Sequence, residues 1–399
     1  MKLTDVCEFI VDCPHSTALD EGRGYPLIRT PNIGKGRLLL ENVHRVSEKV
    51  YQERIQRGQP QDGDLIFARE APAGNVAIIK NGEKVCLGQR TVLIRPNKDK
   101  VNSTFLAYYL LAPKQQNGLL GSANGSTVPH VNLPTIRNLE ISLPSLEKQV
   151  KTASIIESYD DLIENNQKQI KLLEEAAQRL YKEWFVDLRF PGWENTKIVD
   201  GVPEGWEKTT ISSVSSVLRR GISPKYNDNA TFTVINQKCI RQTIVDFSES
   251  RKQEKTFSSE MALIDSDTVI CSTGAGTLGR VGQVFGSPTN ATFDSHVTLV
   301  RTNGRIGAQL LFQSLKDQQT YLQDSGKGST NQLELSRTTI AECPVFIPSE
   351  PVSKHFEVLV QPIHDLISKI SQSILSLQNS KDMMLSKLMN ENTEEHHAS

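Results

Sequence analysis

The sequence predicts an α/β protein in which two mixed α+β globular heads are each followed by a long helix. The two helices are expected to pair as an antiparallel coiled coil with a pseudo-twofold axis. Two observations lead to this fold class: a heptad pattern of apolar residues occurs twice, and so does a series of short strand patterns. The predicted segments are head 1 at residues 1–145, helix 1 at 146–190, a linker at 191–206, head 2 at 207–349, helix 2 at 350–390 and a flexible tail at 391–399.

Head 1 contains short apolar runs that are separated by Gly, Pro, Asn and Asp, a pattern typical of strands and turns. The predicted strands are Tyr25–Arg29, Gly63–Phe67, Val76–Ile79, Thr91–Arg95 and Leu139–Leu143. A helix is predicted from Ser103 to Leu111, with Ser103 as its cap, because its apolar residues recur at helical spacing. The segment from Lys114 to Pro129 is predicted to be a polar loop.

Head 2 repeats this order of elements. Its corresponding strands are Thr233–Ile235, Ser266–Ile270, Val297–Arg301 and Val345–Pro348. The tripeptide Gly328-Ser329-Thr330 likewise repeats Gly125-Ser126-Thr127. The sequence therefore predicts one unit of a head and a helix that is used twice.

The two long helices are predicted from apolar residues at alternating steps of four and three, the spacing of a coiled-coil seam. The seam of helix 1 is Thr152, Ile156, Tyr159, Ile163, Asn166, Ile170, Leu173, Ala177, Leu180 and Trp184. The seam of helix 2 is Phe356, Val360, Ile363, Ile367, Ile370, Ile374, Leu377, Lys381, Met384 and Leu388. Antiparallel pairing is expected because a parallel pair would require the short linker to run back along a rod of roughly 50 Å.

Two polar residues interrupt these seams. Lys381 is expected opposite Ile163, with its ammonium group near Asp160 or Glu164. Asn166 is expected to help fix the register of the pair. The alternative is that both side chains are exposed at an irregular stretch.

Charge is divided unevenly along the chain. The formal net charge is -1, yet head 1 has 18 Lys and Arg against 14 Asp and Glu, and head 2 has 15 against 13. The positive heads weakly favour a polyanionic partner.

The scattered cysteines predict free thiols instead of disulfides or a zinc site. The absence of a long apolar run or signal peptide predicts a cytoplasmic protein.

Two short motifs resemble sites of catalysis or cofactor binding. Gly274-Ala-Gly276-Thr-Leu-Gly279 matches the glycine pattern of dinucleotide sites, but alternating residues and further glycines follow it, so a hairpin turn is predicted there and at Ala71–Gly74. Asp294-Ser295-His296 has the residue types of a hydrolytic triad, but a polar turn that leads into a strand is the simpler interpretation. We therefore predict no catalytic residues.

Loops in both heads are rich in side chains that bond to phosphates and base edges. The DNA-binding candidates of head 1 are Arg29, Asn32, Lys35, Arg37, Arg69, Gln89, Arg90, Asn124, Ser126, Thr127 and His130. Those of head 2 are Arg219, Arg220, Lys225, Asn236, Gln237, Lys238, Thr273, His296, Lys327, Ser329, Thr330 and Asn331. Each could instead be an ordinary solvated residue, but their occurrence at equivalent places in two heads favours recognition.

The whole chain resembles the specificity subunit of type I restriction–modification systems. The segments that carry the resemblance are Gly125–Thr127, Leu143–Gln149, Leu172–Phe185 and Pro203–Trp206, while Pro348–Pro351 departs from the family pattern. The resemblance implies that each head, as a target-recognition domain, reads one half of a split site in double-stranded DNA. It also implies that the helices bind two methyltransferase subunits and that restriction and translocase subunits join them. S-adenosylmethionine, ATP and Mg would then belong to those partners, and this chain would hold no cofactor or metal.

Two other functions remain open from the sequence alone. The first is a coiled-coil scaffold that has two protein-binding heads and no DNA specificity. The second is an enzyme that uses the glycine-rich turn. Salt-dependent binding to duplex DNA would distinguish recognition from the scaffold, and binding of a dinucleotide or S-adenosylmethionine by the isolated chain would support the enzyme.

Overall fold

The structure is a computed structural model that describes residues 1–80, 82–121, 130–241, 243–274, 276–286, 288–328 and 333–394, with side chains described up to Lys387. Its compact units are Met1–Glu164 together with Leu375–Ser399, called unit 1, and Asn165–Ile374, called unit 2. Each unit therefore contains one head and a segment of each long helix.

Head 1 is built from short strands and helices. Its strands are β1 (Cys7–Asp12), β2 (Tyr25–Ile28), β3 (Gly36–Arg37), β4 (Arg45–Val46), β5 (Leu65–Ala68), β6 (Val76–Ile78), β7 (Cys86–Leu87) and β8 (Thr91–Pro96). Its helices are α1 (Glu48–Arg54), α2 (Ser103–Leu111), α3 (Pro113–Leu120) and α4 (Leu133–Arg137). One sheet has the order β1-β8-β5-β6-β3 and a second has the order β4-β2-β7.

The long helix α5 (Leu146–Tyr181) follows head 1 and continues into a π-helical turn at Lys182–Val186. The strands that follow are β9 (Ile198–Val199), β10 (Val202–Pro203), β11 (Glu207–Thr210), β12 (Ser215–Arg220), β13 (Phe232–Ile235), β14 (Arg251–Gln253), β15 (Thr268–Cys271), β16 (Val281–Gln283), β17 (Ala291–Phe293), β18 (Val297–Thr302) and β19 (Pro344–Ile347). The helices of this part are α6 (Ala308–Asp317), α7 (Gln319–Asp324), α8 (Arg337–Ala341) and the long α9 (Glu350–Glu394). The sheets have the orders β12-β18-β15-β16, β14-β13-β17 and β11-β19, with β9 paired to β10.

The two heads share a hydrogen-bonded framework. In head 1, β2 pairs with β4 antiparallel and with β7 parallel; in head 2, β13 pairs with β14 antiparallel and with β17 parallel. A buried ion pair recurs at the same place: Arg95 forms two bonds to Asp64 of 2.9 and 2.8 Å, and Arg301 forms two bonds of 2.7 Å to Asp267. The repeated strand patterns therefore fold into the same frame.

The predicted seams are the least exposed faces of α5 and α9. In unit 1, Ile156 and Ile163 are buried, whereas Leu162, off the seam, is 51% exposed. In unit 2, the buried seam residues are Ile170 and Ala177 of α5, Trp184 of the π-helical turn, and Phe356, Val360, Ile367 and Ile370 of α9. The partly buried seam positions are Tyr159, Asn166, Leu173, Leu180, Ile363, Ile374, Leu377, Lys381 and Met384; the side chain of Leu388 lies outside the described residues.

The two long helices contact each other in both units, and in unit 2 they run in opposite directions. In unit 2, Ile170 packs with Ile367 and Ile370, and the rings of Trp184 and Phe356 lie 5.8 Å apart. In unit 1, Lys381 Nζ lies 2.8 Å from Asp160 Oδ1, which confirms the partner expected for this lysine.

Three local predictions for head 1 were wrong. Leu139–Leu143 forms an isolated bridge between Glu140 and Lys2 instead of a strand, because the partner segment turns into a 3-10 helix at Leu3–Val6. Asn102, not Ser103, caps α2, since its side chain accepts a bond of 2.9 Å from Phe105 N and Ser103 is already helical. Part of the predicted polar loop from Lys114 to Pro129 is the helix α3, in which Leu119 is fully buried.

Both glycine-containing turns are hairpins, as predicted. The turn that contains Ala71–Gly74 joins the antiparallel strands β5 and β6, and the turn that contains Gly274–Gly279 joins β15 and β16. Since a strand follows the second turn where a dinucleotide site needs a helix, the glycine pattern does not form such a site.

Within the described part of the chain, no helix is long and apolar enough to cross a membrane. The same residues contain no group of three or more His, Cys, Asp and Glu side chains that could hold a metal ion.

Candidate nucleic-acid interface

Three loops meet at one corner of each head, and their backbones are joined in the same way. In head 1, Gly88 N donates to Ile28 O at 2.8 Å and Arg69 N donates to Arg90 O at 2.9 Å. In head 2, Asp294 N donates to Ile235 O at 2.9 Å and Ser272 N donates to His296 O at 2.8 Å. We call these places corner 1 and corner 2. Corner 1 comprises Asp12, Arg29, Arg69, Glu70, Gln89, Arg90 and His130, and corner 2 comprises Arg220, Asn236, Ser272, Thr273, Asp294, His296 and Glu334.

Corner 1 is an ion-pair network. Arg69 donates two bonds of 2.9 and 3.1 Å to Asp12, one of 2.9 Å to Val131 O, and lies 2.9 Å from His130 Nε2. Glu70 bonds to the other ring nitrogen of His130, Nδ1, and also forms an ion pair with Arg90 at 2.8 Å. The Arg69 side chain is only 12% exposed, so it organises the corner, whereas Arg90 is 62% exposed and faces solvent.

The other candidates of head 1 have different surroundings. Gln89 Nε2 donates to His15 O at 2.5 Å beside corner 1. Asn32 is buried and donates to Leu39 O at 3.2 Å, so its side chain holds the loop and is not available to a partner. Lys35 and Arg37 lie at β3, on the opposite edge of the sheet from β1, and are not brought to the corner. Asn124, Ser126 and Thr127 lie outside the described residues.

Corner 2 has the same frame and a different charge arrangement. Arg220, at the end of β12, pairs with Glu334 and donates a bond of 3.1 Å to Ser272 O. His296 Nδ1 lies 2.5 Å from Thr273 Oγ1. The Asp294 carboxylate accepts a bond from His296 N at 2.9 Å, and burial raises the pKa of this carboxyl. Because Asp294 bonds to the backbone of His296 and not to its ring, these residues do not have the geometry of a hydrolytic triad.

A polar cavity of about 440 Å³ opens beside corner 2. Four of the predicted DNA-binding residues line it: Asn236, Gln237, Lys238 and His296. Asn236 is buried and caps a 3-10 turn by accepting a bond of 2.8 Å from Lys238 N. The capped turn presents Gln237 and the exposed Lys238 at the cavity.

The sequence did not predict the remaining residues of the cavity wall. These are Tyr226, Ser248, Glu249, Ser250, Arg251 and Asp294. The guanidinium carbon of Arg251 lies 3.6 Å from the centre of the Tyr226 ring, a contact that favours this orientation of both side chains. The two residues are far apart in sequence and meet because Tyr226 forms a bridge to Gln253, two residues after Arg251 on β14. Their sequence carries no local motif that would have identified them.

The other candidates of head 2 lie away from the cavity wall. Arg219 pairs with Glu260 at 3.1 Å, and Lys225 pairs with Glu254. Lys327 exchanges two backbone bonds with Glu334 near corner 2. Ser329, Thr330 and Asn331 lie outside the described residues.

Comparison with known proteins finds a matching family model and several relatives. Residues 1–175 match the family described as the type I restriction modification DNA specificity domain. The chain is 27% identical to the type I restriction enzyme MjaIX specificity subunit of Methanocaldococcus jannaschii, with 97% of this chain and 91% of that protein covered. It is 23% identical to the HindI specificity subunit of Haemophilus influenzae, with 82% and 86% covered.

A solved structure has the same fold. The S subunit of a type I restriction–modification system from M. genitalium superposes with a TM-score of 0.56 at 15% identity, and the match covers 97% of this chain and 95% of that one. Both relatives are named specificity subunits of type I restriction enzymes. Residues 1–175 therefore match the type I restriction modification DNA specificity domain, and the chain is similar over nearly its whole length to a type I restriction enzyme specificity subunit.

Proposed function

We propose that the chain reads a split DNA target, with one half-site bound by each head. The observation that carries this proposal is the pair of corners: the same backbone frame displays different polar side chains in the two heads. Two heads that share a backbone framework but display different side chains at its surface are suited to binding two different half-sites. Head 1 (1–145) and head 2 (207–349) are the target-recognition domains in this proposal.

The helices are proposed to form one antiparallel coiled coil that sets the distance between the half-sites. Helix contacts within unit 2 support this arrangement, since Ile170 packs with Ile367 and Ile370 while Trp184, later in the chain, meets the earlier Phe356. An antiparallel pair gives the molecule a pseudo-twofold axis, which matches the pseudo-twofold symmetry of duplex DNA.

The outer faces of the paired helices are proposed to hold two methyltransferase subunits, which the restriction and translocase subunits join. Leu172 of α5 and Leu366 of α9 support a docking role because they are apolar, off the seam and 65% and 45% exposed. S-adenosylmethionine, ATP and Mg are assigned to the partner subunits.

The proposal is tested with the chain alone and with its methyltransferase partners. The isolated chain is expected to bind duplex DNA with an affinity that falls steeply with salt, and to methylate nothing. The assembled complex is expected to methylate a motif of two short half-sites separated by unspecified bases. A single contiguous motif, or methylation by the chain without its partners, would contradict the proposal.

A further inference from the structure

The cavity beside corner 2 differs between the heads, although its frame is shared. The strand pairings align β13 with β2, β14 with β4 and β17 with β7. On this alignment the wall residues Asn236, Gln237, Lys238, Arg251, Asp294 and His296 correspond to Arg29, Thr30, Pro31, His44, Gly88 and Arg90. Every one of these positions differs, whereas the buried pairs Asp64–Arg95 and Asp267–Arg301 are the same. The cavity wall therefore presents different side chains in the two heads, while the buried ion pair of the framework is kept.

The wall also has a composition that suits bases better than phosphates. Gln237, Lys238 and Arg251 supply donors, and Glu249 and Asp294 supply carboxylate acceptors. Carboxylates repel phosphate oxygens but accept bonds from the amino groups of cytosine, and Arg and Lys donate to guanine. A wall that mixes both signs of charge in a cavity of about 440 Å³ thus matches the mixed donors and acceptors of base edges.

Arg251 is held in place for such a contact. Its guanidinium lies over the Tyr226 ring at 3.6 Å, which favours one orientation of the group before a partner arrives. The next residue, Lys252, donates from Nζ to Thr233 Oγ1 at 3.1 Å and is not part of the wall. Successive residues of a strand face opposite sides, so these two adjacent cations on β14 project away from each other.

We infer that Gln237, Lys238 and Arg251 at this cavity read base edges in the major groove of the half-site bound by head 2. The inference rests on the proposed function and deepens it by naming the reading residues. Head 1, which has His44 and Pro31 at two of these positions, is then expected to read a different sequence from its own corner.

The experiment compares Arg251→Ala with Lys252→Ala in the complete methyltransferase complex, with methylated motifs mapped across a genome. Arg251→Ala is expected to relax one or more positions of one half-site by about tenfold, a loss in the range of a single base contact, and to leave the other half-site unchanged. Lys252→Ala, the matched control, removes the same charge from the same strand and is expected to keep the wild-type motif. Lys238→Ala, an exposed change on the capped turn, repeats the test if Arg251→Ala lowers the folded yield.

Two results would overturn the inference while the proposed function stands. One is a wild-type bipartite motif retained by Gln237→Ala, Lys238→Ala and Arg251→Ala. The other is a uniform loss of affinity across all sequences with a shallower salt dependence, which is the behaviour of a phosphate contact. If the wild-type complex itself recognised no bipartite motif, the proposed function would have failed first.

Discussion

His364 is a buried, titratable side chain on α9, on the side of the helix that faces head 2. Its ring stacks on Phe285 at 5.6 Å and meets the edge of Phe312 at 5.7 Å, and neither ring nitrogen has a hydrogen-bond partner among the described residues. Burial lowers the pKa of His364 to about 4. The neutral imidazole therefore packs as an aromatic residue at neutral pH.

This burial predicts a pH-dependent stability. An unfolded His364 takes up a proton near pH 6.5 and the folded one near pH 4, so the free energy of unfolding is expected to fall as pH drops from about 6.5 towards 4. His364→Leu removes the titrating group and is expected to flatten this part of the profile, measured by urea unfolding at each pH. His15→Leu, a change at a solvent-exposed histidine, is the control. An unaltered slope in His364→Leu would contradict the assigned burial.

The sequence indicates which side chains are able to bind DNA, but it does not show which of them are already paired with other residues of the protein. Arg69 was predicted to face DNA, yet Asp12, far away in the sequence, binds it and leaves it largely buried. Arg69 and Asp12 meet because β1 and β5 lie on either side of β8. No local sequence pattern predicts this order of strands. Arg251 was overlooked for the same reason, because its role appears only when Tyr226 lies beneath it.

Helices and strands were easier to predict than side-chain partners, because the spacing of apolar residues within a segment shows which of its faces will be buried. The heptad seams were predicted well: a spacing of 3.5 residues identifies one helix face without knowledge of the partner. The strand at Leu139–Leu143 failed because a ladder also needs an extended partner, and Leu3–Val6 is a 3-10 helix. The equivalent segment of head 2 does form β19, paired with β11.

The α5–α9 pairing has a polar contact in unit 1 that its counterpart in unit 2 lacks. Tyr108 of α2 donates to Asp160, which also binds Lys381. The residues 204 positions after Tyr108 and Asp160 are Phe312 and His364, which meet through their rings. Because Lys381 and Asp160 are complementary to each other, this contact favours one register of the two helices.

A double-mutant cycle measures this contact. Asp160→Ala and Lys381→Ala are each expected to destabilise the protein, and together by less than the sum, with a coupling of roughly 1 to 3 kcal/mol. Both side chains are mostly buried, which limits screening by solvent. Lys369→Ala, elsewhere on α9, serves as the control. Additive effects in the cycle would show that the ion pair does not contribute to the pairing.

At the scale of the whole molecule, the helices are proposed to act as a ruler. Residues 163–169 and 371–377 face each other in the proposed pairing, in which Asn166 lies 3.5 Å from Ser373. Their joint removal takes one heptad from each helix and spares both Asp160 and the contact of Gln178 with Asp317. The rod shortens by about 10 Å, which corresponds to roughly three base pairs.

The mapped motif of this deletion is therefore expected to keep both half-sites and to lose about three base pairs from the gap. The rotation of DNA over that length turns the half-sites relative to each other, so affinity is expected to fall as well. Deletion of 163–169 alone is the control and is expected to disrupt the pairing. Changed half-sites with an unchanged gap would rule out the helices as the ruler.

Exchange of head 1 tests modularity at the same scale. Replacement of residues 1–145 by the corresponding head of a relative is expected to change one half of the methylated motif and to leave the other half and the gap unchanged. The reciprocal exchange of residues 207–349 is expected to change the opposite half. A motif altered on both sides by one exchange would show that the heads do not read independently.

Unit 1 combines Met1–Glu164 with Leu375–Ser399, whereas unit 2 is a continuous segment. During synthesis on the ribosome, all of unit 2 has therefore been made before unit 1 has all its parts. Asp160 therefore meets Lys381 only after the last part of α9 has left the exit tunnel. Unit 1 is thus expected to be completed after unit 2 although head 1 is translated first, and a chain that stops after Ile374 would keep an intact second half and an incomplete first one.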